Sequence, residues 1–204
     1  MNTKTQTIDQ SKLDALHLTR GTHGDPEGGL CLMEAVAFFA GERHSDHPEC
    51  VSPELGAWGR EVNDAMPDAR RQELKAFIPD MVGTAGDGRD EVRAFMCDDF
   101  AVRVMAPMAL DATKLREQAE WLRELPEIVD KETAADAYCA DAYRAAAAVY
   151  DAAYAAAYTA AYPAAYAAAD AYRADDDASP IWDAVIAFTP KLIAARADNR
   201  GGQR

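Results

Sequence analysis

Two of the four cysteines and three of the four histidines lie between Gly21 and Pro53, in GTHGDPEGGLCLMEAVAFFAGERHSDHPECVSP, and chemistry is expected there first. The apolar run LCLMEAVAFFA predicts a buried helix that starts near Leu30 and stops at Gly41. Cys31 then stands in a first helical turn, where free N–H groups and the helix dipole favour a thiolate. Glu34, the only charge inside the run, follows at i+3 on the same side of the helix.

Three readings of these residues compete. In the first, Cys31, His44, His47 and Cys50 form C-x12-H-x2-H-x2-C, four borderline-soft ligands suited to tetrahedral zinc, although the spacing matches no standard finger. In the second, Cys31 is a thiol nucleophile with His47 or His44 as its base and Glu34 or Asp46 orienting the imidazole. In the third, Cys31 and Cys50 are packing thiols, no residue is catalytic, and Ser45, Asp46 and His47 hold the second loop by hydrogen bonds. A bound zinc silences the thiolate, so the first two readings exclude each other in the resting protein.

The elements that position this stretch read as helices throughout. Ser52-Pro53 opens a helix with Leu55, Trp58 and Val62 on one face. PDARRQELKAFIPDMV follows, then the turn GTAGDG, which lacks the Gly-Lys-Ser/Thr ending of a phosphate loop and reads as a helix connection. RDEVRAFMCDDFAVRVMAPMALD predicts a central helix buried on much of its circumference, bent or ended at Pro107. A stripe of Leu115, Ala119, Leu122 and Leu125 forms the next helix, closed by Pro126. No segment alternates with the period of a strand. The fold class is therefore all-α: an antiparallel helical domain, a long Ala/Tyr-rich helix kinked at Pro163, and a C-terminal amphipathic helix capped by Ser179. Leu32, Val36, Phe39, Trp58, Phe77, Phe95, Phe100 and Trp121 are the expected core.

These elements divide the chain into a tail and short helix at 1–19, a helical domain at 20–126, the Ala/Tyr tract at 127–178 and the final helix with its end at 179–204. Residues 133–172 hold all eight tyrosines, with Tyr150, Tyr154, Tyr158, Tyr162 and Tyr166 recurring every four residues. At about 100° per residue that period drifts around the helix, so the tyrosines form a slanted ridge rather than a flat face. Alanine admits close helix approach and tyrosine adds an apolar body with a polar tip, a combination suited to an interface. Repeat slippage that lengthened a helix of no specific role gives the same tract.

The formal charge is −14, and both halves of the chain are acidic. Direct nucleic-acid binding is disfavoured, because such a surface repels phosphates. A basic protein partner, imitation of nucleic acid, or plain solubility all fit it. The N-terminus lacks a signal-peptide h-region and no apolar run suits a membrane span, so a cytoplasmic protein with reduced cysteines is expected.

EGGLCLMEAVAFFAGERHSDHPEC, followed by VNDAMPD, FIPDMVGT, DDFAVRVMAPMALD and an alanine-aromatic tail, resembles a family of uncharacterised proteins of actinobacteria and their phages over roughly residues 20 to 175. The resemblance implies a setting, the cytoplasm of a host or infected cell, and no activity, cofactor or site residue. The tail departs from the family pattern in carrying tyrosines where tryptophans are usual. No complete catalytic motif is present, so the leading expectation is a non-catalytic interaction protein, binding a protein partner or itself through the Ala/Tyr helix. The alternatives are a cysteine-dependent hydrolase or transferase centred on Cys31, or a zinc-stabilised regulatory protein.

Overall fold

The structure is a computed structural model that describes residues 8–112, 115–139 and 180–195. It is all-α, as the sequence predicts. Among the described residues the one β-like pairing is an isolated parallel bridge between Leu18 and Leu30. The chain forms two compact units, Met1–Asp87 and Gly88–Arg204, with the division inside the expected 20–126 domain and at the glycine-rich turn. Most of the Ala/Tyr tract, Pro163 and Ser179 lie outside the described residues.

The first unit contains α1 (Gln10–Ala15), α2 (Leu32–Ala40), α3 (Pro53–Ala65), α4 (Asp68–Arg71) and α5 (Ile78–Met81), and α2 packs against α3 and α5. Cys31 is the N-cap of α2 rather than a first-turn residue, and Glu34 completes a capping box with it. The helix ends in a Schellman motif: Gly41 adopts φ 73°, the Gly41 amide donates to Phe38 at 3.1 Å and the Glu42 amide to Ala37 at 2.9 Å. Leu32, Met33, Ala35, Val36 and Ala37 are all buried to within 1%. Helix α3 approaches closely because Gly59 has no side chain; a Cβ there would lie 2.6 Å from Met33 Cε.

Polar side chains bind the loops of this unit to its helices. Asn63 on α3 accepts from the Leu32 amide at 3.1 Å and donates to the Thr19 carbonyl at 3.0 Å. Gln72 pairs with both backbone groups of Leu18, each at 2.9 Å, in the manner of a neighbouring strand. Arg71, 5% exposed, donates to the Asn63 and Met66 carbonyls at 2.7 Å and closes the C-terminus of α3. The GTAGDG turn serves as the expected connection: the Gly83 and Ala85 amides donate to the Cys50 carbonyl, and Thr84 Oγ1 accepts from the Ser52 amide.

The second unit contains α6 (Asp90–Phe100), α7 (Ala106–Ala112), α8 (Arg116–Glu124), α9 (Lys131–Cys139) and α10 (Pro180–Ile193). Pro107 neither ends nor sharply breaks the predicted central helix. A π-helical turn at Ala101–Met105 widens the helix ahead of it, and the chain continues as α7. Proline lacks an N–H and its ring crowds the preceding turn, and a locally wider register accommodates both defects. The helix is also less buried than expected: only Arg93 and Phe100 of α6 are buried. Phe100 stacks on Phe188 of α10 at 4.2 Å. Of the expected core, Leu32, Val36, Phe39 and Phe100 are buried, whereas Trp58, Phe77, Phe95 and Trp121 are only half-buried.

Candidate functional site

Glu34 collects more polar partners than any of the site residues predicted from sequence. Its side chain is fully buried, one turn into an otherwise apolar helix. Oε2 accepts from the Cys31 amide and from His23 Nδ1, both at 2.8 Å. Oε1 accepts from the His23 amide at 2.6 Å and from Thr22 Oγ1 at 3.2 Å, and His44 Nε2 stands 3.6 Å away. A carboxylate without water must find its hydrogen bonds in the protein, and here they come from the preceding loop and from its own helix cap. Burial pushes the Glu34 pKa up, but the Cys31 and His23 amides and the His23 imidazole outweigh it and hold the group below its ordinary 4.5.

The donor inventory fixes one proton of His23. An ionised carboxylate only accepts, so Nδ1 carries the proton. In the neutral ring Nε2 is then a bare acceptor, and it faces Thr19 Oγ1 at 3.1 Å. Thr19, His23 and Glu34 therefore form a hydroxyl–imidazole–carboxylate relay. Both backbone groups of Thr19 are tied down, the amide to Leu30 at 2.9 Å and the carbonyl to Asn63. Gly29 lies against the pair: at φ 116°, a Cβ on it would sit 2.5 Å from Thr19 Oγ1 and 3.3 Å from His23 Nε2.

The structure does not assemble the predicted zinc ligands. Cys31 Sγ turns into its own helix and accepts from the Glu34 amide at 3.5 Å. His44 Nε2 donates to the His23 carbonyl at 2.8 Å. His47 is 68% exposed and bonds Asp46 at 2.7 Å, and half-buried Cys50 lies beside the Glu42 carboxylate. Among the described residues no three His, Cys, Asp or Glu side chains are placed to hold a metal ion. Each of the four side chains is engaged separately, and the four do not converge on one point.

The activated-thiol expectation is corrected as well. Cys31 is 3% exposed, and burial pushes its thiol up to about 12, with the Glu34 amide lowering it and the Glu34 charge raising it further. Desolvation at this buried cap exceeds the helix-terminus effect that the sequence suggested. No hydrogen bond joins His47 to Cys31, and Glu34 orients His23 instead. Cys50 follows the same physics: burial first, then the neighbouring Glu42, raise it to about 11.

His23, Thr19 and Thr22 were not singled out by the sequence. The available signal was Glu34 itself, since a lone carboxylate in a buried run demands donors, and His23 stands in the adjacent glycine-rich loop. No helix among the described residues is long and apolar enough to cross a membrane. No protein-family model matches this chain, and no curated protein and no solved structure matches it.

Proposed function

We propose that this chain is an acidic helical interaction protein whose second unit engages a basic, amphipathic segment of a protein partner. The supporting observation is an open groove of about 420 Å³ between α6 and the start of α9. Val92, Phe95 and Val129 give it apolar surface, and Val129 is 45% exposed. Glu91, Asp130 and Glu132 set three carboxylates beside that surface against one ammonium, Lys131, which lies 3.4 Å from Glu91. An apolar anchor flanked by lysine or arginine complements this lining, and opposite charge also speeds encounter. A second copy of the chain is a poorer occupant, because it brings its own net charge of −14 to an acidic groove. The resemblance to actinobacterial and phage proteins adds a cytoplasmic setting to the proposal.

The test is fluorescence anisotropy of the full-length protein with a labelled Leu/Lys amphipathic peptide and its Leu/Glu counterpart. The expected result is binding of the basic peptide alone, weakened by salt and abolished by Glu91→Lys with Glu132→Lys. Equal binding of both peptides, or binding unaffected by the charge reversals, overturns the proposal. So does sedimentation velocity showing a dimer that the same reversals dissociate, since the groove then serves self-association.

A further inference from the structure

We infer from the Thr19–His23–Glu34 relay that Thr19 is a nucleophile toward small activated acyl groups, an activity separate from the groove of the second unit. The two hydrogen bonds, 3.1 Å from Thr19 Oγ1 to His23 Nε2 and 2.8 Å from His23 Nδ1 to Glu34 Oε2, place a hydroxyl, a base and an orienting carboxylate in series. That series is what hydroxyl activation requires: the carboxylate fixes the tautomer, and the bare Nε2 takes the hydroxyl proton. Glu34 is fully buried and ionised, so it stabilises the imidazolium formed during transfer without itself taking the proton. Thr19 is half-buried and His23 retains 14% of its side-chain exposure, so the pair borders solvent while the carboxylate behind it does not.

Placement of the hydroxyl does not depend on the ring alone. The Thr19 backbone is held by Leu30 on one side and Asn63 on the other, which fixes the position of the Cα that carries the hydroxyl. Gly29 crowds one side of the hydroxyl, since a Cβ on it would lie 2.5 Å from Oγ1, and a small acyl group such as acetyl meets the least obstruction there.

The step balances within the chain and an activated ester. Thr19 Oγ1 forms a bond to the acyl carbon as its proton passes to His23 Nε2, and the ester C–O bond breaks as that proton moves to the leaving oxygen. Water then attacks the acyl carbon and gives a proton to Nε2, the Oγ1–acyl bond breaks to release the carboxylic acid, and the proton returns from Nε2 to Oγ1.

Full-length protein with p-nitrophenyl acetate supplies the test, read as nitrophenol release and as acetyl position by peptide mass spectrometry. The expected result is acetyl on Thr19 and a burst approaching one equivalent. Thr19→Val, which keeps shape and removes the hydroxyl, should slow that burst by roughly 100-fold or more, and Thr19→Ser should restore it. Thr19→Val lies outside the apolar core, so it keeps the test open where His23→Gln fails to fold. Acetyl found only on lysines or on His47, or a burst unchanged in Thr19→Val, overturns the inference.

Discussion

His23 Nδ1 and Glu34 Oε2 meet at 2.8 Å from positions 11 residues apart, and the bond joins a glycine-rich loop to the interior of a helix. Because the Glu34 oxygens also satisfy the Cys31 and His23 amides and the Thr22 hydroxyl, one carboxylate secures the cap of α2 and the loop before it. Glu34→Ala should therefore leave several buried donors unsatisfied at once and cost at least about 3 kcal/mol. Urea unfolding measures this, and a loss under 1 kcal/mol would show that the loop is held by other bonds.

The same carboxylate makes the first unit sensitive to acid. Its folded pKa lies below the ordinary 4.5, so its contribution is present above that value and disappears as pH falls through the depressed folded value. Thermal unfolding from pH 6 downward should show a steeper loss for the natural protein than for Glu34→Gln. Parallel curves would mean that other carboxylates, such as Asp46, whose pKa is also lowered, govern acid unfolding.

Much of this arrangement was legible in the sequence, for definite reasons. The apolar run before Gly41 could only be a buried helix, and the absence of period-2 patterning ruled out a sheet. Local spacing, however, carries no information on which loop residue turns inward. His44, His47 and Cys50 look like a ligand set because they are near in sequence, yet each is satisfied by a neighbour that spacing cannot reveal. The misjudged burial of Trp58 and Phe95 has a related cause, since helical periodicity identifies a face but not whether another helix covers it.

Cys31 should behave as an inert thiol. At 3% exposure and with a pKa near 12, it should react with an aromatic disulfide reagent in the native state far more slowly than after unfolding. The raised pKa also implies an alkaline effect: below 9.0 the thiol is protonated whether folded or unfolded, and above it the unfolded chain ionises first. Stability should thus fall between about pH 9 and 12, and Cys31→Ser should remove part of that fall. Rapid native labelling of Cys31 would contradict its burial.

Gly29 is a backbone requirement as well as a spacer. At φ 116° it occupies a region that side chains disfavour, and a Cβ would also strike Thr19 Oγ1 at 2.5 Å. Gly29→Ala should cost about 1–3 kcal/mol from backbone strain alone, and a temperature melt reads it. An unchanged melting point would mean that the loop can move away from Thr19.

In the second unit the corresponding buried group is Arg93, with no exposed surface at all. Its Nε donates to the Leu192 carbonyl at 3.2 Å and its Nη2 to the Ile193 carbonyl at 3.1 Å, while Nη1 lies 3.5 Å from Asp90. The carbonyls at the end of α10 have no further helical turn to bond, and a planar guanidinium can serve two of them together where a lysine ammonium acts as a single point. Arg93→Met keeps most of the volume and removes the donors, so it should cost at least about 1.5–3 kcal/mol, and Arg93→Lys should recover only part of that. Hydrogen exchange locates the effect: the Ala194 amide, bonded to Pro190 at 3.0 Å, should lose protection in Arg93→Met. Unchanged protection there, with stability within 0.5 kcal/mol of the natural protein on the scale of ordinary surface substitutions, would show that α10 ends securely without the arginine.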